Sequence, residues 1–179
     1  DLGLQGVRCT IATEQDSYPL AIPAPGVHMA TLAALAVAAA ECLGLTREEI
    51  IQGVESYAPA DNRLRVEHLP GNRIMINDSY NANPRSVRAD VVILSQHKGG
   101  KRIAMLGDMT ELGAAEASGH QSVGELVGQL GIDILLAVGP RSKEYMVPAA
   151  QAAGCAEVRW YPAREAVKSD LLDLFAPGD

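Results

Sequence analysis

Asp78, Tyr80, Asn81 and Asn83 fall within one polar stretch, Asp78-Ser79-Tyr80-Asn81-Ala82-Asn83-Pro84, directly after the apolar run Ile74-Met75-Ile76. A carboxylate here can accept from sugar hydroxyls, and carboxamides can pair with peptide groups in both directions. The flanking residues predict what positions them. The β-branched run reads as a strand buried on both faces. Asn83-Pro84 reads as a helix start, because Asn accepts from the orphan N–H groups of a first turn and Pro has no N–H to leave unpaired. A strand–loop–helix unit of this kind puts the polar side chains at the carboxyl end of a strand, the edge where open α/β sheets bind ligands. An ordinary βα connection is the competing reading, since Asn, Asp, Ser and Pro are all turn formers. The gathering of a carboxylate, two carboxamides and a phenol in one loop favours a site.

A second polar stretch, Gly107-Asp108-Met109-Thr110-Glu111-Leu112-Gly113, follows the next apolar run and is trailed by His120. Asp108 and Glu111 are expected on the same sheet edge as Asp78, where they could bind an ammonium group or cap the following helix. His120 shares a helical face with Val123 and Val127, so it reads as a satisfied, partly buried histidine rather than an acid–base catalyst. Gly99-Gly100-Lys101-Arg102 is a turn. It lacks the spacing of a phosphate loop and its Ser/Thr after Lys, and it leads from a helix into a strand.

Composition narrows the class. At 179 residues with 47% hydrophobic and 4% aromatic content, the chain can build an aliphatic, alanine-rich core. A net charge of -7 argues against a nucleic-acid surface. Cys9, Cys42 and Cys155 are far apart and odd in number, as expected of reduced thiols in the cytoplasm. The longest apolar run, Met29 to Ala40, is too short and alanine-rich to insert in a membrane. Asp1-Leu2-Gly3-Leu4 carries neither an initiator Met nor the basic start of a signal peptide, so the chain is expected to begin inside a longer protein.

Periodicity orders the elements. Strands are predicted over 7–12 and 18–22, then a helix over 28–43 with Leu32, Leu35, Ala36, Ala39 and Leu43 as its apolar stripe and Gly44 as a left-handed cap. Thr46-Arg47-Glu48-Glu49 opens the next helix as a capping box, with Leu45 and Ile50 as a staple. Pro59-Ala60-Asp61-Asn62 breaks the pattern like an interdomain linker. Beyond it strands at 65–69, 73–77, 102–106, 134–138 and 157–161 alternate with helices at 84–97, 115–130, 142–153 and 163–175, after a hairpin around Pro70-Gly71-Asn72. That alternation predicts an α/β fold with a doubly wound, mainly parallel sheet.

The two polar stretches, with His120 and Val123-Gly124, resemble the signature motifs of the Mur ligases of the MurF type, which add D-alanyl-D-alanine (D-Ala-D-Ala) to the peptidoglycan precursor. The resemblance implies a C-terminal part of the central ATP-binding domain over 1–62 and a Rossmann-like Mur ligase C-terminal domain over 63–179. A last strand would follow the turn at Pro177-Gly178-Asp179. It implies a cytoplasmic, monomeric enzyme that uses ATP and Mg²⁺ to join UDP-MurNAc-tripeptide to D-Ala-D-Ala through an acyl phosphate. The phosphate loop and the Mg²⁺ ligands are not in this stretch, which supplies no catalytic residue and is expected to be inactive by itself. Arg63 and Asp78 are implied to hold the nucleotide, and Tyr80, Asn81, Asn83, Asp108 and Glu111 the peptide substrates. Simpler roles stand beside these: a surface arginine for Arg63, bonds to the loop's own backbone for Asp78, a helix cap for Asn83. The chain departs from the family at Leu32, where an asparagine usually contacts adenine and where leucine can neither donate nor accept. Other amino-acid-adding Mur ligases, folylpolyglutamate-type ligases and a non-catalytic nucleotide-binding module are the alternatives; the Tyr-Asn-Ala-Asn-Pro run favours the D-Ala-D-Ala type.

Overall fold

A computed structural model of the chain describes residues 1–175, so the turn expected at Pro177-Gly178-Asp179 lies outside the described residues. The chain divides into two compact units, Asp1–Arg65 and Val66–Asp179.

In the first unit β1 (Val7–Ala12) and β2 (Ser17–Ile22) pair antiparallel, with Val7 opposite Ile22. The alternation of β2 turns Tyr18, Leu20 and Ile22 inward. Two helices cover this face, α1 (His28–Cys42) and α2 (Arg47–Glu55). The start of α2 forms the expected reciprocal cap. Thr46 Oγ1 accepts from Glu49 N at 3.3 Å, and Glu49 Oε2 accepts from Thr46 N and from Thr46 Oγ1 at 2.8 Å each, the two bonds that hold its carboxyl below the usual range. Gly44 takes the left-handed conformation after α1 (φ 76°) that a side chain would resist.

The buried face of α1 is not the predicted one. Met29, Ala33 and Val37 enter the core, whereas Leu32, Leu35 and Leu43 are exposed. The helix is apolar nearly all round, so periodicity cannot choose its face; contact with β1, β2 and α2 decides. Leu32 instead lines, with Met29, Leu45, Ile50 and Tyr57, an open apolar cavity of about 320 Å³.

The second unit opens with the hairpin of β3 (Arg65–Leu69) and β4 (Arg73–Asn77), turned by Gly71 and Asn72 at positive φ. Then follow α3 (Pro84–Gln96), β5 (Ile103–Gly107), α4 (Glu116–Gln129), β6 (Ile134–Val138), α5 (Val147–Ala152), β7 (Glu157–Tyr161) and α6 (Arg164–Leu174). The helix predicted over 142–153 is a wide π-type turn, Ser142–Met146, running into α5. Pro148 has no N–H to return to the carbonyl of Glu144, which favours the widened turn.

Strands β5, β6 and β7 form a parallel sheet in that order. Central β6 is buried on both faces. Leu135 and Ala137 join Val87, Val91, Val123, Val127 and Ala150 of α3, α4 and α5. Ile134 and Leu136 join Tyr161 and Val167 on the α6 side. Helices on both faces of a parallel sheet make the unit doubly wound α/β. The doubly buried strand is thus β6. The run Ile74–Asn77, read as such a strand, is only half-buried, leaves Met75 exposed and pairs with β3 alone among the described residues. Helices α4 and α5 meet at glycines: a Cβ on Gly124 would lie 2.3 Å from Met146 O and one on Gly128 2.6 Å from Ala153 Cβ. No helix among the described residues is long and apolar enough to cross a membrane.

Candidate functional site

The loop after β4 is built from short-range bonds. Ser79 Oγ donates to Asn77 Oδ1 at 2.7 Å and Ala82 N to Asn81 Oδ1 at 2.9 Å. Asn83 caps α3: its Oδ1 accepts from Arg85 N at 3.0 Å and Ser86 N at 3.1 Å, and Ser86 Oγ accepts from Asn83 N. Its amide oxygen is therefore committed to the helix start, leaving the amide NH₂ as the group with which it could meet a ligand. Tyr80 is 65% exposed, and Ser79 and Asn81 are exposed with it. Asp78 is half-buried at the base of the loop, and burial together with the nearby Asp78 carboxylate pushes the carboxyl of Asp90 on α3 up to about 8. Sequence reading passed over Asp90; a carboxylate placed between the inward Val87 and Val91 was its only signal.

The loop after β5 is built differently. His120 is fully buried, beyond the partial burial expected, and both ring nitrogens are occupied. Nε2 accepts from Met109 N at 3.0 Å and Nδ1 lies 2.8 Å from the carbonyl of Glu116, which fixes a neutral ring protonated on Nδ1. Asp108 accepts from Arg141 N at 3.2 Å and Ser142 N at 2.7 Å, so it caps the turn after β6 rather than the helix that follows its own loop. Arg141 completes the cluster, 3.9 Å from Asp108 and hydrogen-bonded through Nε to Glu116, whose carboxylate raises the guanidinium pKa. Gly139 makes room for it: its φ is +103° and a Cβ would lie 2.5 Å from Asp108 Cγ. Trp160 Nε1 donates to Gly139 O at 2.8 Å from the far side. Glu111, by contrast, is exposed and held at φ 62°, a conformation L-residues other than Asn and Asp rarely adopt.

The two loops meet at Gly119, where a Cβ would stand 2.8 Å from Pro84 Cγ and 3.0 Å from Leu112 Cδ1. The expected sheet edge does not join them, since β4 and β5 belong to separate sheets. Arg63 lies in the first unit, exposed, in a turn where its N donates to Ala60 O at 3.1 Å. The described residues gather no group of three or more His, Cys, Asp or Glu side chains able to hold a metal ion, so Mg²⁺ is assigned no ligand among them.

Residues 62–179 match the family model described as Mur ligase, glutamate ligase domain. The chain is 36% identical over 137 residues to the UDP-N-acetylmuramoyl-tripeptide–D-alanyl-D-alanine ligase of Escherichia coli K12, covering 76% of this chain and 30% of that protein. The crystal structure of MurF from Acinetobacter baumannii superposes with a TM-score of 0.83 at 29% identity, over 97% of this chain and 37% of that one. A MurF ligase from Thermotoga maritima, solved in complex with ADP, shares the fold with a TM-score of 0.61 at 19% identity, over 96% of this chain and 46% of that one.

Proposed function

This chain belongs to the Mur ligase family, and from that premise we propose that its protein joins D-Ala-D-Ala to UDP-MurNAc-tripeptide at the expense of ATP in peptidoglycan synthesis. The observation that carries this reading is the exposed Tyr80–Asn81 loop, seated on the capped start of α3 and touching the second motif at Gly119, in a chain 36% identical to such a ligase. The chain spans 30% of that relative's length, so the activity belongs to the protein that carries it. In this reading residues 1–62 are the end of a central ATP-binding domain and 63–179 the C-terminal domain of a cytoplasmic monomer. The ADP complex of the Thermotoga relative supports the choice of nucleotide.

The reaction transfers the terminal phosphoryl group of ATP to the tripeptide carboxylate, the amine of D-Ala-D-Ala adds to the acyl carbon, and phosphate leaves. Such chemistry needs positioning and charge stabilisation more than covalent help from the protein. Asp78 accepts from the ribose hydroxyls, and Arg63 also binds the nucleotide. Tyr80, Asn81 and the amide NH₂ of Asn83 pair with peptide groups. Glu111 is better placed than Asp108 to meet the incoming ammonium, because it is exposed whereas Asp108 is occupied by two N–H groups and Arg141.

Steady-state kinetics of the full-length protein test the assignment. Asp78→Asn is expected to raise the KM for ATP and Asn81→Ala that for a peptide substrate, each by one to two decades, the worth of a charge-assisted hydrogen bond of roughly 1.5–3 kcal/mol. Unchanged constants for all three substrates in both variants would make the loop purely structural.

A further inference from the structure

The incoming dipeptide is a zwitterion, and in the ligase reading Glu111 meets only its ammonium. Its carboxylate calls for a cation. On α3, α4 and the loops that precede them there are two, Arg85 and Arg88. Arg88 is engaged, donating to Ser122 O of α4 at 2.9 Å. Beyond β6, Arg141 is held by Glu116 and Asp108, and the Lys143 ammonium lies 4.0 Å over the Trp160 ring. Arg85 differs from all of these. It is exposed, and its guanidinium has no hydrogen bond or ion pair among the described residues.

Its place does not serve the helix either. Arg85 follows Pro84 in the first turn of α3, where aligned peptide dipoles repel a cation and no acidic side chain compensates. The N–H groups of Arg85 and Ser86 already have their acceptor in Asn83 Oδ1. We propose that Arg85 takes the carboxylate of the incoming D-Ala-D-Ala and, with Glu111 at the ammonium, sets which end of the dipeptide meets the acyl phosphate. This rests on the ligase reading and on the role given there to Glu111. One contact brings the two residues together. Pro84 Cγ and Leu112 Cδ1 both abut Gly119, 2.8 Å and 3.0 Å from where its Cβ would stand, and Arg85 and Glu111 are their neighbours in the chain. An extended dipeptide spans roughly 7 Å, within reach of two long side chains that start one residue from a common contact. Glu111 is also held at φ 62°, backbone strain of a kind that collects at ligand sites. A planar guanidinium meets a carboxylate through two parallel N–H bonds, which fixes direction as well as position.

Steady-state kinetics of the full-length protein, with D-Ala-D-Ala and with its C-terminal amide, decide it. The native protein is expected to use the amide about ten- to a hundredfold less well in kcat/KM, the worth of a charge-assisted pair. Arg85→Ala is expected to raise the KM for D-Ala-D-Ala by about that factor, to treat acid and amide alike, and to leave the KM for ATP and for UDP-MurNAc-tripeptide unmoved. Arg85→Lys keeps the charge without the fork and should fall between. Melting temperature separates this from a structural role: Arg85 opposes the helix dipole, so Arg85→Ala should melt no lower than the native protein. An unchanged KM for D-Ala-D-Ala in Arg85→Ala overturns the proposal, as does a variant that still prefers acid to amide as strongly as the native protein. A lowered melting temperature with all three KM values raised together makes Arg85 structural and overturns it too. If the native protein does not use D-Ala-D-Ala at all, the ligase reading has failed and the proposal falls with it.

Discussion

The loop after β4 and the loop after β5 each carry an aspartate and further polar groups, and they spend them in opposite ways. After β5, Glu111 apart, the groups with described partners are used by the fold: His120 uses both nitrogens, Asp108 holds two N–H groups of the turn after β6, and Arg141 ties Asp108 to Glu116. After β4 the bonds of Ser79, Asn81 and Asn83 run to neighbours one to three residues away, and Ser79, Tyr80 and Asn81 are exposed. Residue type does not separate the two cases. What separates them is whether the partner is distant in the chain and buried, which marks a group used by the fold, or local and exposed, which leaves a group for a ligand.

If that contrast is right, substitutions in the two regions part company in stability. The largest loss is expected from Gly139→Ala, which adds a methyl group inside the space of the Asp108 carboxylate at an unfavourable φ. It should cost about 3 kcal/mol, read as a fall in the urea midpoint at constant slope. A midpoint unchanged by this substitution would mean that the β5 loop is as yielding as its neighbour. His120→Ala comes next, at roughly 2 kcal/mol for the orphaned Met109 N–H and the space left behind; it should unfold early yet keep its substrate KM values while folded. The smallest effect sharpens the comparison at Asn83. Removing the cap by Asn83→Ala should cost about 1 kcal/mol. A fall in turnover beyond that loss, measured well below the melting temperature, assigns the amide NH₂ to a substrate as well.

Most element boundaries were legible because their signals are local. Thr46 with Glu49 and Asn83 with Pro84 announce helix starts within four residues, and both caps form as read. The face of α1 was not legible, because an alanine-rich helix that is apolar nearly all round carries little direction until its neighbours exist. The hairpin of β3 and β4 was legible from the turn Pro70-Gly71-Asn72, but the half-burial of β4 was not, because the run Ile74–Ile76 has the composition of a central strand. In the site, Asn83 could be read as a cap from sequence, whereas Asp108 pairs with residues 33 and 34 positions away and the charge of Asp78 reaches Asp90 only once α3 has folded back. Spacing rules reach a few residues; these contacts do not.

The glycine contacts between α4 and α5 bear on which parts of the second unit can move independently. Backbone lies against backbone at Gly124 and Gly128, with no side chain between that could change rotamer and let one helix slide past the other. Opening that seam exposes Val123, Val127 and Ala150 together, all of them fully buried. Local fraying is therefore denied to this helix pair, and its central amides should exchange with solvent only when the whole unit unfolds. The Asp78–Asn83 loop leads into Pro84, which packs on Gly119 of α4, so it stands on a floor that stays shut.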